Sequence, residues 1–194
     1  MDYPTQPAFV VQAQGWDEHL LQHTVMKFIH AHEQLFDAQK YDECGPFYGP
    51  VFTYVKSNGQ KLTGEQGVVA LHGDYTVFAG RFHEPANVVV SETEDGYRLF
   101  GYARIFVNLP VVTGNNGSSS QAGDGSDRKC RDLQGRRWDC EAQGAFIFDF
   151  LRDPAGPLGF RYKFFQILAD PTPILSVAME RDAAARADAA APAV

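Results

Sequence analysis

Between residues 17 and 36 the positions Leu21, Val25, Phe28, His32 and Leu35 return every three or four residues, and Leu20, Ile29 and Phe36 widen the stripe. That period predicts an amphipathic helix over 17–36. Gly45, Pro46, Gly49 and Pro50 then interrupt regular structure, residues 51–55 read as a short strand, and Ser57-Asn58-Gly59 reads as its turn. Thr63 precedes Gln66 by the capping-box spacing, and Val68, Leu71, His72, Tyr75 and Phe78 share one side of the stretch that follows. A second helix over 64–79, stopped by Gly80, is expected. Beyond it the period falls to two or to continuous β-branched runs, in segments 87–91, 97–109, 141–151 and 160–168. Asp95-Gly96 and the cluster Asp153-Pro154-Ala155-Gly156-Pro157 supply the turns. Helices early and strands late indicate an α+β domain, with helices covering one face of a curved antiparallel sheet.

Two segments break the pattern. Residues 113–137 are rich in Gly, Ser, Asp and Arg and nearly empty of large apolar groups, so they offer little burial to offset the entropy of ordering. They are expected to be a mobile insertion between strands or a lid. Residues 182–194 are dominated by alanine and are expected to be frayed or to form a short exposed helix. The layout is an arm at 1–16, one domain at 17–181 and the alanine-rich tail. No internal repeat is visible.

Composition narrows the class. With 194 residues, 44% of them apolar and 21% charged, the chain is long enough for one sizeable core without disulfide or metal staples. The net charge of −7 and the short, interrupted groups of basic residues argue against a nucleic-acid partner. No run of 18 apolar residues and no basic leader are found, so no membrane partner is expected and a cytoplasmic location is. Cys44, Cys130 and Cys140 are odd in number and lack metal-type spacing; no metal site is expected, and reduced thiols are, with a Cys130–Cys140 pair as the alternative in an oxidising compartment. P-loop, dinucleotide, nucleophile-elbow and HExxH signatures are missing, so no cofactor is expected either.

Histidines are the first candidates for chemistry near neutral pH. His19, His23 and His30 fall on or near the polar side of the first helix and read as solvated. His32, inside the apolar stripe, reads as a core imidazole with a satisfied hydrogen bond. His72 and Tyr75 lie three apart on the second helix and should both point toward the sheet, as packing or as parts of one cavity. His83 is the most suggestive, since it follows the helix, sits beside Glu84 and precedes the strand that starts at Asn87. Strand alternation lets only one of His83 and Glu84 face inward. Asp149, between Phe148 and Phe150, is either a candidate acid or base or a rim carboxylate bonded to Arg104 or Lys163. Both faces of the long strands are half apolar, so the sheet should be covered twice, by helices on one side and by a second copy of the chain on the other. A homodimer through the sheet is therefore expected.

This order, a long helix, a broken helix, a short strand, a capped helix, then H-x-x-x-N as His83 to Asn87 leading into long strands, resembles the nuclear-transport-factor-like cone fold. Within that fold it resembles the SnoaL-like cyclases, isomerases and dehydratases of polyketide and terpenoid pathways, over roughly residues 17–180. The resemblance implies a cone-shaped antiparallel sheet around an apolar pocket, no cofactor, and acid–base chemistry on a bulky, apolar natural-product intermediate. Carried over, the proton-handling role falls on His83, with His72, Tyr75 and Asp149 as helpers. Tyr54, Tyr102, Asn108, Tyr162 and Gln166 are the polar groups expected to hold the substrate. Two alternatives share the fold: a non-catalytic binding or dimerisation module, and an epoxide hydrolase that holds a water on inward carboxylate and amide groups. An enclosed pocket of roughly several hundred cubic ångströms holding His83 and a second titratable group would favour catalysis; a core filled by phenylalanines would favour the module.

Overall fold

The computed structural model describes residues 9–110 and 130–190, with side chains through 186. Strands β1 (Phe9–Gln12), β4 (Gly80–Glu92), β5 (Gly96–Asn108), β8 (Cys140–Arg152), β9 (Phe160–Ala169), β2 (Tyr48–Val55) and β3 (Lys61–Thr63) form one seven-stranded sheet in that order. All neighbours are antiparallel except β2 and β9, which run parallel. Helices α1 (Thr24–Asp37), α2 (Tyr41–Cys44) and α3 (Gly64–Tyr75) come before the long strands, and α4 (Thr172–Ala190) follows them. A two-stranded hairpin, β6 (Cys130–Arg131) with β7 (Arg137–Trp138), stands apart. The architecture is thus an α+β cone whose concave side is covered by helices, as expected.

Local chemistry sets the boundaries. α1 starts later than the stripe suggests because the His23 imidazole accepts from the Val25 N–H and caps the helix, leaving Leu20–Gln22 as a 3₁₀ turn. α3 stops at Tyr75, where the Thr76 hydroxyl donates back to the Gly73 carbonyl. β4 begins at Gly80, well before the expected strand. Its inward residues Arg81, His83 and Pro85 are not a row of aliphatics, so the alternation that marks a strand is hidden in the sequence. A bulge between Pro85 and Asn87 restores the apolar alternation with Val88 and Val90. The arm at 1–16 is in part structural, since β1 pairs with β4 along Phe9 to Gln12.

The core lies between the concave face and α1. Phe28, Phe36, Phe52, Phe150, Tyr162 and Phe165 are all fully buried there. Gly101 on β5 makes room for this packing: a Cβ there would lie 2.4 Å from the Phe146 ring and 2.7 Å from the Asn87 carbonyl. A smaller cluster of Ile105, Val107 and Cys140 is closed by Ile174 and Val177, so α4 caps one end of the cone. Residues 182–190 of the tail are therefore part of a helix that begins at Thr172, and 191–194 lie outside the described residues. Of the expected insertion, residues 113–129 lie outside the described residues, whereas 130–137 form part of the hairpin. There Trp138 stacks near Phe82 and Phe106 on the outer face, with the Arg136 guanidinium 3.9 Å from the Phe82 ring centroid. Part of the apolar outer face is thus covered by the chain's own hairpin.

Candidate active site

Alternation along β4 sends His83 to the concave face and Glu84 to the outer one, where Glu84 meets Arg104 at 3.0 Å. Glu33 and Asp37, four residues apart on α1, lie on the side of the helix that meets β4. The three residues converge. His83 Nδ1 is 2.7 Å from Asp37 Oδ1 and 3.0 Å from Glu33 Oε2, and the His83 backbone N–H donates to Asp37 Oδ2 at 3.1 Å. Trp16 closes the far side by donating its indole N–H to the His83 carbonyl at 2.8 Å. The Nδ1 proton goes to Asp37, so Glu33 Oε2 makes an ion-pair contact and has no hydrogen bond of its own. With Nδ1 committed, Nε2 is the ring nitrogen left for a ligand.

Arg81, two residues earlier on the same strand face, completes the charge balance. Its guanidinium is buried 4.2 Å from the Phe36 ring centroid, donates to the Tyr41 hydroxyl at 2.6 Å and the Tyr75 carbonyl at 3.1 Å, and also bonds the Phe36 carbonyl. Its Nε lies 3.5 Å from Asp37 Oδ1. Burial alone would lower the His83 pKa, but the Asp37 and Glu33 charges reverse that and raise it to about 10. Burial would likewise raise the Glu33 carboxyl, but the His83 charge and the hydrogen bond from His32 outweigh it and hold the group well below the ordinary carboxylate range. The resting cluster is two carboxylates, one imidazolium and one guanidinium.

Glu33, Asp37 and His83 are also the set among the described residues whose ligand atoms, all within 4.8 Å of one another, have the spacing a divalent cation would need. The proton on His83 and the Arg81 guanidinium already neutralise both carboxylates, so a cation would have to displace that proton.

His83 and Glu33 are the titratable members of an otherwise apolar cavity wall that includes Met26, Ile29, Ala103, Ile105, Phe146 and Phe148. The cavity is narrow, with about 40 Å³ of room for water-sized molecules. A wider, more polar hollow of about 370 Å³, bordered by His30, Gln34, Asp37, Arg81 and Arg136, lies beside it, and Trp16 and Glu33 line both.

The other expected site residues are dispersed. His72 lies on α3 outside the cavity wall, with its Nε2 3.0 Å from the Tyr48 hydroxyl. Tyr75 is buried with its ring centroid 5.8 Å from that of His83. Tyr54 donates to Asp74 at 3.0 Å, and Tyr162 is sealed in the aromatic core with no partner for its hydroxyl among the described residues. Asn108 accepts from the Asp139 N–H at 3.1 Å at the end of β5.

Asp149, Tyr102 and Gln166 are corrections. In β8 and β9 the cavity is lined by Gly144, Phe146, Phe148, Phe165 and Ile167, so the residues of opposite parity face outward. Asp149 there forms a two-pronged pair with Arg98, at 2.6 and 2.7 Å, and Tyr102 bonds Gln143. Glu33, Asp37, Arg81 and Tyr48 are not among the expected site residues. The available signals are a carboxylate beside His32 within an apolar stripe, a second carboxylate four residues on, and the alternation Arg81-x-His83.

No protein-family profile and no curated protein matches the sequence. Solved structures do match in fold. Aln2 from a Streptomyces species superposes with a TM-score of 0.52 at 16% identity, over 82% of this chain and 97% of that one. The hexachlorocyclohexane dehydrochlorinase LinA-type3 from Novosphingobium barchaimii gives 0.52 at 8% identity, over 77% and 86%. Nuclear transport factor 2 from Cryptosporidium parvum gives 0.52 at 12% identity, over 81% and 100%. The chain has the nuclear-transport-factor-like fold. An enzyme and a transport factor share it, so function must be argued from the site.

Proposed function

We propose that the protein is a cofactor-independent acid–base enzyme that moves a proton on a largely apolar substrate, in a cyclisation, an isomerisation or a dehydration. The observation that carries this reading is an imidazole held through Nδ1 between the buried Glu33 and the half-buried Asp37 at the wall of an apolar cavity. The carboxylates orient the ring and stabilise its positive charge, as the carboxylate does in other histidine-centred sites. The charged ring is the resting form at neutral pH, so its first act is donation from Nε2 to a carbonyl or leaving oxygen. The neutral ring that results is a base placed to take a proton from carbon. Such positioned transfer is worth about 10²- to 10⁴-fold in rate. The dehydrochlorinase among the similar structures is consistent with elimination chemistry in this fold.

The substrate we favour is a polyketide- or terpenoid-like intermediate whose apolar part enters the inner cavity. A bulky one requires Met26, Phe146 or Trp16 to give way, because the resting cavity is narrow. That narrowness is the observation favouring the second reading, a non-catalytic binding module. The outward position of Asp149 counts against the epoxide hydrolase. Two chains are proposed to pair through the outer face, where Val10, Phe100 and Leu168 are exposed.

The test is deuterium uptake from D2O into the acidic C–H positions of aryl-fused cyclic 1,3-diketones and enones, followed by proton NMR. Wild-type protein is expected to accelerate uptake at least tenfold over a His83→Gln variant of unchanged circular dichroism. Equal rates would overturn the enzymatic reading in favour of the module.

A further inference from the structure

A second chain of ionisable groups starts at the same carboxylate and runs away from the cavity. Glu33 Oε1 is 3.2 Å from His32 Nδ1, His32 Nε2 is 2.8 Å from the Tyr48 hydroxyl, and that hydroxyl is 3.0 Å from His72 Nε2. His32 is completely buried and Tyr48 nearly so, whereas His72 on α3 is partly exposed. None of the three lines the cavity. We propose that His32, Tyr48 and His72 form a proton relay that joins Glu33 to solvent on the α3 side, and so reloads the acid–base cluster while a ligand fills the cavity.

The hydrogen bonds fix the direction of the relay. A carboxylate at Glu33 requires His32 to donate from Nδ1, which leaves His32 Nε2 to accept from the Tyr48 O–H. The Tyr48 oxygen in turn accepts from His72 Nε2–H. A proton arriving from solvent adds to His72 Nδ1, and the Nε2 proton of His72 passes to the Tyr48 oxygen. The original Tyr48 proton passes to His32 Nε2, and the His32 Nδ1 proton passes to Glu33 Oε1. Each relay group ends with the number of protons it began with, and Glu33 has gained one. Once His83 has donated its proton to a substrate, the cluster holds two carboxylates, one of them the buried Glu33, against one guanidinium. Protonation of Glu33 through the relay removes that excess charge.

The surroundings suit transfer rather than storage. Around His32 stand Glu33, Tyr48 and Tyr162 among the rings of Phe36, Phe47 and Phe165. Around His72 stand Tyr41, stacked at 4.7 Å, and Tyr48, with Asp42 and Arg81 acting through their charge. Burial is the largest cause that lowers His72, to about 4, so the imidazole is neutral at rest and can accept and release in turn. The relay is independent of the proposed reaction in its geometry and rests on it only for its purpose.

The experiment follows the His32 ring proton in ¹⁵N-histidine-labelled full-length protein, without substrate. The expected tautomer carries the proton on Nδ1, and that proton should exchange with water at least tenfold faster in the wild type than in Tyr48→Phe, with backbone amide protection of α1 unchanged. His72→Gln keeps a donor for the Tyr48 oxygen but has no second nitrogen to pass a proton through; it should slow exchange equally, and it decides the matter if Tyr48→Phe does not fold. A proton on Nε2 instead, or equal exchange in the wild type and the variants, would overturn the relay. Loss of the His83-dependent deuterium uptake with the exchange difference intact would overturn the proposed reaction and leave the relay standing.

Discussion

The two faces of one set of strands use charge in opposite ways. On the outer face of β4, β5 and β8, Arg98 pairs with Asp149 and Arg104 with Glu141 and with the buried Glu84, in positions where the arginines reach water; Arg98 is 61% exposed. On the inner face Arg81 and His83 are buried against Glu33 and Asp37 from α1, with Arg81 only 3% exposed. Exposed pairs are worth at most about 1 kcal/mol because water and salt screen them. Buried charges cost far more to desolvate and persist only in a balanced set. A fold stabilised by apolar packing does not need four charged groups in its interior, so the inner set is the one to which chemistry is assigned.

The largest effect expected from this contrast is on Arg81. Arg81→Met leaves the buried Glu33 and the half-buried Asp37 facing one imidazolium and strips a donor from the Phe36 and Tyr75 carbonyls, so urea denaturation should show a loss of about 3–5 kcal/mol. The outer-face counterpart, Arg98→Met, should fall within about 1 kcal/mol of wild type. Similar losses for the two would erase the distinction between the faces.

The next effect is on pH. His83 is raised in the folded state to about 10 from a reference of 6.5, so its contribution to stability is complete below about 6.5 and is lost as pH rises through about 10. The thermal midpoint of the wild type should decline across that window, and His83→Gln should lack that component of the decline. His72 acts at the other end: its folded pKa is lowered to about 4, so the stability it contributes above about 6.5 is lost as pH falls toward 4.

The smallest effect is expected at Asp149. Asp149→Asn should change the unfolding free energy by less than about 1 kcal/mol and leave carbon-acid deuterium uptake at the wild-type rate. A tenfold fall in uptake would show that the outer face takes part after all.

Much of the fold is legible because periodicity reports burial. The long strands β5, β8 and β9 start and end within a residue or so of where alternation places them, and the stripe from Val25 to Phe36 marks α1. Alternation starts β4 seven residues too late, at Asn87 rather than Gly80, because a strand that turns Arg81 and His83 inward lacks the aliphatic pattern by which strands are recognised. The histidine at that strand is legible as a candidate, but its partners are not. Asp149 stands out for its phenylalanine neighbours, yet a residue between two inward side chains on a strand points outward, and only knowing which parity lines the cavity resolves it. His32 is a buried imidazole with hydrogen-bond partners, as its place in the stripe suggests; that those partners are Glu33 and Tyr48, leading on to His72, is information carried by packing.

The sequence by itself determined most of the long elements, the face of each that is apolar, and an α+β arrangement with helices over a curved antiparallel sheet, since these follow from periods of 3.6 and 2 along the chain; the cone was implied only by the family resemblance. Only the tertiary structure decided which charges meet. Asp37 and His83 are 46 positions apart, and their contact depends on how α1 crosses the start of β4. Protonation follows from that contact: the same imidazole chemistry is driven up at His83 by two carboxylates and down at His72 by burial, and neither outcome is a property of the residue or of its neighbours in the chain.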